Sequence, residues 1–235
     1  MYKKYGNKFM CFSPPVMLIT FLFEFGAALY IMWRYNVNLV TRLIIIVLIC
    51  LGTFQLAEYM VCGGFGMHGG DWARLGYISI TALPALGLHL ITAIAGKKLN
   101  LLIYPSYAVM VAFMLYFVLT PGVINTLECR PNYTIFAFDE TTSVFYALYY
   151  FGWLFTGTGL AWKWSQRQPK QKSALRWMTI GYIAFIVPSC TIALANPATI
   201  SGIPSIMCGF AVLFAITLTF MVAPKTSKIK RHLKL

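Results

Sequence analysis

The chain has 235 residues, 19 of them basic and only 6 acidic, with 59% hydrophobic residues, 11% charged residues and a net charge of +13. So little polar surface does not coat a water-soluble globule of this size, and a mean hydropathy of +0.71 assigns the chain to a bilayer. The excess of basic residues is then matched to anionic lipid headgroups, each juxtamembrane Lys or Arg contributing about 1 kcal/mol, and not to nucleic acid.

A helix needs about 20 mostly apolar residues to cross the hydrocarbon core. Seven such runs occur, at 15–33, 40–62, 73–96, 101–119, 142–163, 177–195 and 203–222. They are too long and too uniformly apolar for barrel strands, which alternate every second residue over about 10 residues. The expected fold is an all-α membrane protein, a single seven-transmembrane-helix bundle over 1–235.

The first run begins within "MCFSPPVMLITFLFEFG", Met10 to Gly26, and contains one acid, Glu24. A basic stretch, "MYKKYGNK", precedes it, as in a signal peptide or anchor, but no small-residue cleavage site follows, so the run reads as a retained span. In the second, "GTFQLAEYMVCGG" places Gln55, Glu58 and Cys62 on one helix face by a spacing of three and four. That face meets the depth at which Cys11 and Ser13 begin the first helix. In the third, His89 lies farther in, on a stripe with Thr81, Ala85 and Thr92, near Pro84, which should bend the helix. At 1.5 Å rise per residue, Glu24 falls between these two polar levels.

The glycine-rich "CGGFGMHGGDW", Cys62 to Trp72, turns tightly or approaches a ligand; its plainer reading is a flexible connector. The loop from Thr120 to Thr141 exceeds the usual connection, as lids and binding loops do. Its "NYT" at Asn132 is a glycosylation triplet, without meaning in a prokaryotic host. "WKWSQRQPKQKSALRW" combines Trp162, Trp164 and Trp177 with basic residues as an interfacial belt. "NPATI", Asn196 to Ile200, reads as a helix-ending Asn-Pro turn. The last run has no lysine, which excludes a retinal Schiff base. The tail at 224–235, "APKTSKIKRHLKL", reads as a short basic headgroup anchor.

Lys and Arg are retained on the cytoplasmic side. All but Lys3, Lys4, Lys8, Arg74 and Arg130 fall in the tail or at the loops joining helices one to two, three to four and five to six. The opposite side holds Asp71, Glu128, Asp139 and Glu140. The N-terminus is therefore expected outside and the C-terminus in the cytoplasm. Of the cysteines, Cys11, Cys62 and Cys129 map to the outer face, where an oxidising compartment permits a bridge. A Cys62–Cys129 bridge would pin the long loop to helix two, although sequence does not set connectivity.

An ionisable group at membrane depth is costly and by default a functional hypothesis. The candidate ligand-binding residues are Cys11, Ser13, Glu24, Gln55, Glu58 and His89. Convergence of several polar groups at one depth describes a pocket open to the outside. The plainer alternative is a set of helix clamps, whose interhelical hydrogen bonds are worth about 0.6 to 2 kcal/mol. No set of three zinc ligands at one depth occurs, so no metal or cofactor is expected.

The stretch from Met10 to Val61 resembles the start of a group of uncharacterised bacterial multi-pass membrane proteins. These open with Met-Cys-Phe-Ser and have a Gln-Leu-x-Glu second helix, matched here by Gln55, Leu56 and Glu58, although nine residues precede the first motif. "DWARLGYISITALPALGLHLITAIAGKK" is similar, more loosely, to the third-helix region of the seven-helix input module of bacterial histidine kinases, through Trp72, Pro84, Gly96 and Lys97. Both resemblances imply topology more than activity. The expected function is binding or sensing of a small apolar or lipid-like ligand, with a signalling partner on the basic face, in a bacterial inner (plasma) membrane. The alternatives are a membrane-embedded enzyme acting on a lipid or quinone, with Glu58 as base, and a structural subunit of a membrane complex.

Overall fold

The computed structural model describes residues 14–63, 69–98, 100–120, 122–124, 126–130, 133–167 and 171–230. In chain order they form α1 (Pro14–Arg34), α2 (Leu39–Gly63), α3 (Gly69–Ala95), α4 (Asn100–Leu119), β1 (Thr126–Cys129), β2 (Thr134–Ala137), α5 (Glu140–Arg167) and α6 (Lys172–Ala195). A 3-10 turn over Pro197–Gly202 leads into α7 (Ile203–Ile216). The helix then widens to π pitch over Thr217–Val222 and closes with α8 (Ala223–Thr226). The result is an all-α membrane-type fold. Six helical segments are long and apolar enough to cross a bilayer, the last running from Pro197 to Thr226. Seven were expected; α5 is not among the six, although at 28 residues it is the longest single helix.

Large apolar side chains cover the outside as well as the inside. Leu22, Leu29 and Trp33 project outward from α1, Leu115 and Leu119 from α4, and Ile180 and Val187 from α6. Lipid tails are as apolar as leucine, so burial in a membrane supplies little drive between helices, and dispersion and interhelical hydrogen bonds hold the bundle together. α2 packs most extensively on α3 and α1, and α6 on α7 and α5, whereas α4 leans mainly on α3. Close approach is made where glycine removes a side chain: a Cβ on Gly87 of α3 would overlap the Tyr182 hydroxyl of α6. Pro84 lies inside α3, which continues past it as one helix. The helix ends at Gly96, whose positive φ of 63° accompanies a bond from Lys97 N–H to the Thr92 carbonyl, 3.0 Å, the usual left-handed glycine stop.

The long loop between α4 and α5 has structure of its own, which its length alone did not reveal. β1 and β2 form an antiparallel hairpin with Thr126 opposite Ala137 and Cys129 opposite Thr134. Cys129 is bonded to Cys62 of α2. Because a bonded sulfur has no proton, the 3.5 Å contact between Cys62 Sγ and Thr134 Oγ1 has the threonine as donor. Arg130 pairs with Glu128 at 2.9 Å, and Arg74 with Asp71 at 2.8 Å, which offsets the basic residues on this side.

At the opposite end residues 228–230 are stitched to the α1–α2 turn. Tyr35 and Ile229 form an isolated antiparallel bridge. Asn36 N–H donates to the Lys228 carbonyl at 2.9 Å and Lys230 N–H to the Arg34 carbonyl at 3.1 Å. The Lys230 Nζ caps the end of α1 at the Met32 carbonyl, 2.8 Å, where the helix dipole favours a cation. Residues 231–235 of the tail lie outside the described residues.

Asp139 caps α5. Its Oδ1 accepts from Thr142 Oγ1 at 2.7 Å and its Oδ2 from Thr142 N–H at 2.9 Å, satisfying a first-turn donor that has no partner within the helix. The Thr142 hydroxyl, and secondarily its backbone N–H, hold this carboxyl below its ordinary value. Since the folded value is depressed, the contribution is present above the unfolded aspartate value, about 3.9, and is lost as pH falls through the lower folded value. Asp139→Ala is expected to lower the melting temperature at neutral pH. The gap from the parent protein should close in strong acid, as thermal melts across a pH series would show.

Candidate functional site

Two features on the hairpin side of the bundle have the composition of functional sites. The first is an aromatic cavity. The second is a buried acid cluster.

The acid cluster forms where α1, α2 and α7 meet. α1 packs against α2 at Gly52, where a Cβ would sit 3.6 Å from the Glu24 Cβ, an ordinary contact distance. Side chains of a helix lean toward its N-terminus. Consecutive helices α1 and α2 run in opposite senses, so Glu24 leans toward the hairpin end while Gln55 and Glu58 lean back toward it. The carboxyls of Glu24 and Glu58 come within electrostatic range of each other. The sequence placed Glu24 on a level of its own; the lean of the side chains removes that separation. Glu24, Gln55 and Glu58 are 0%, 2% and 1% exposed. Both carboxyl oxygens of Glu24, Oε1 of Glu58 and Nε2 of Gln55 are buried without a hydrogen-bond partner among the described residues.

Among the described residues, the Ser205 hydroxyl of α7 faces Glu58. Ser205 Oγ in turn accepts from the Thr134 N–H of β2 at 3.0 Å, which leaves its proton for the carboxyl. Cys208, one turn along α7, faces both acids. Thr134 therefore joins the hairpin, the disulfide and the acid cluster.

His89 is elsewhere. It is half-buried on α3, and its Nδ1 meets the Tyr107 hydroxyl of α4 at 3.0 Å, with the two rings edge to face. The neighbouring stripe residues Thr81, Ala85 and Thr92 are buried. Cys11 and Ser13 lie outside the described residues, as do 64–68 of the glycine-rich loop and Asn132. Among the described candidates, then, Glu24, Gln55 and Glu58 come together and His89 stays apart. Among the described residues no group of three His, Cys, Asp or Glu side chains has the arrangement of a metal site.

The cavity has a volume of about 330 Å³ and lies between α3, α5, the hairpin and the start of α7. Its walls include Tyr77, Phe136, Tyr146, Tyr150 and Met207, with the hydroxyls of Ser143 and Ser201 at its edge. Glu24, Gln55, Glu58 and His89 are not among its lining residues. The rings are held in place. Thr81 Oγ1 donates to the Tyr77 carbonyl at 2.6 Å, so in its 3.1 Å contact with Tyr146 the phenol is the donor. Tyr149 donates to the Thr81 carbonyl at 2.7 Å. Tyr77 sits 4.6 Å from Phe138 and 5.4 Å from Phe136, ring centre to ring centre and nearly perpendicular, a favoured aromatic geometry.

None of these walls was singled out from sequence. Two signals were present: "TIFAF", 134–138, alternates as a strand does, and Tyr146 and Tyr150 share a face of α5 by their spacing of four. Neither distinguishes a cavity wall from ordinary core. α7 lies beside both features, with Met207 turned to the cavity and Ser205 and Cys208 to the acids, and Tyr77 of α3 touches both. Compared with known proteins, the chain matches no protein-family model, no curated protein and no solved structure.

Proposed function

We propose that this multi-pass membrane protein crosses the bilayer seven times, with its N-terminus outside and its C-terminus in the cytoplasm, and binds a small apolar or lipid-like molecule in the aromatic cavity. The observation that carries the reading is the cavity itself. Its volume of about 330 Å³ falls in the range of small-molecule sites, and such sites combine apolar walls with a few polar groups that fix orientation. The walls are rigid aromatic rings pinned to α3, and Ser143 and Ser201 are the orienting hydroxyls.

Three observations support the orientation. The hairpin side carries a disulfide, which persists in oxidising compartments. The two described arginines on that side are each paired with an acid. The opposite end gathers Arg34, Lys228 and Lys230 around the α1–α2 turn, and basic residues favour the cytoplasm. At 28 residues, α5 is long enough to span at 1.5 Å per residue. A bacterial inner membrane, anionic headgroups on the basic face and a signalling partner docked there belong to the same reading.

Ala147 lines the cavity, and Ala147→Phe should fill it. Organic extraction of the purified protein followed by mass spectrometry is expected to find a co-purified apolar molecule, at least tenfold depleted in the variant at unchanged elution volume. Equal content in both proteins would refute the cavity as the binding site. A reporter fused after Leu235 should be active only in its cytoplasmic form.

A further inference from the structure

We propose that Glu24 and Glu58, with Gln55 one turn from Glu58 on the same helix, form a proton-binding site in the bundle interior, with Ser205 as the group through which the proton exchanges with the hairpin side. The site adjoins the aromatic cavity at Tyr77, which walls the cavity and faces Glu58, but neither acid lines the cavity, and the proton site does not rest on what the cavity binds.

The geometry limits the charge the pair can carry. Both carboxyls are fully buried, on adjacent helices, within range of one another. Among the described residues no Lys, Arg or His is buried. The titratable groups facing the pair from the neighbouring elements are Tyr77 on α3 and Cys208 on α7, and neither supplies a positive charge. Two carboxylates cannot both remain ionised in such a place: each loses its hydration, like charges repel strongly at low dielectric, and the system takes up a proton instead. The reaction is the simplest available, a carboxylate accepting a proton from hydronium to give a carboxylic acid and water. A protonated acid is also a donor, which gives a partner to one of the bare oxygens, and the unpartnered Gln55 Nε2 supplies another donor toward them.

The arrangement also offers one route. Ser205 is the hydroxyl that faces Glu58, and its oxygen accepts the Thr134 N–H at 3.0 Å, which favours donation of its own proton away from the hairpin. Its hydroxyl proton is thereby directed at the carboxyl. Thr134 belongs to the hairpin, so the relay leads to that side of the bundle.

The test is infrared spectroscopy of the full chain in lipid at neutral pH. The other four acidic residues, Asp71, Glu128, Asp139 and Glu140, are at the bundle surface and open to water, not enclosed with a second acid. A carboxylic-acid carbonyl absorption, shifted in deuterated water, is therefore expected from Glu24 and Glu58 alone. Glu24→Gln and Glu58→Gln should each diminish or move it, and Ser205→Ala should keep it while slowing deuterium exchange several-fold. Absence of the absorption in the unmodified protein, a measurement independent of whether any variant folds, overturns the proposal. So does its abolition by sodium, lithium or calcium chloride, which would mean that the site holds a cation. Unchanged exchange in Ser205→Ala overturns the relay.

Discussion

Cys62→Ser is expected to lower the melting temperature by about 10 °C, an amount that reducing agent should reproduce in the unmodified protein. The bond joins residues separated by 67 positions. Cross-linking a loop of that length removes enough freedom from the unfolded chain to stabilise the fold by about 4 kcal/mol on the chain-entropy account, and a chain of this size moves by roughly 2–4 °C per kcal/mol. The loss should spread beyond the hairpin. Thr134 holds Ser205 against Glu58, and Phe136 and Phe138 wall the cavity. Thermal melts monitored by tyrosine and tryptophan fluorescence, with and without reductant, would measure it. A shift under 2 °C would mean that the hairpin is held by its aromatic packing and not by the bond.

Glu24→Met should act in the opposite direction and stabilise the protein. Both Glu24 oxygens are buried without a partner among the described residues, and leaving a buried polar group unsatisfied costs about 1–3 kcal/mol. Methionine has nearly the same length, no polar atom and enough flexibility to fill the space beside Gly52. Replacing buried charged groups by apolar ones of similar shape is often stabilising. A rise of several degrees in the melting temperature is expected, together with a diminished or shifted carboxylic-acid absorption. Such a rise would show that Glu24 has a task other than holding α1 to α2. A fall in melting temperature would instead show that Glu24 is a helix clamp.

The apolar class of the chain, the positions of its long helices and the shared helix face of Gln55 and Glu58 were legible in the residues alone. They follow from local rules: about 20 apolar residues make a membrane-length helix, and residues three and four apart share a face. The Asn196 turn is a case of the same kind. Asn196 ends α6, and its side chain accepts from the Ala198 N–H at 3.2 Å, as the Asn-Pro pair suggests. The hairpin was half legible. The alternation in "TIFAF" is a strand signal, but nothing local shows that its partner is 126–129, or that Thr134 would reach Ser205 seventy-one residues away.

By itself, then, the sequence determined that this protein is a bundle of apolar helices whose few acids inside must turn inward, because composition and helical periodicity act residue by residue. Only the tertiary structure decided that Glu24 meets Glu58, that His89 instead meets Tyr107, and that an aromatic cavity opens on the other face of α7. Those outcomes depend on which helices become neighbours and on the direction in which each side chain leans. Both are set by packing between segments far apart in the chain.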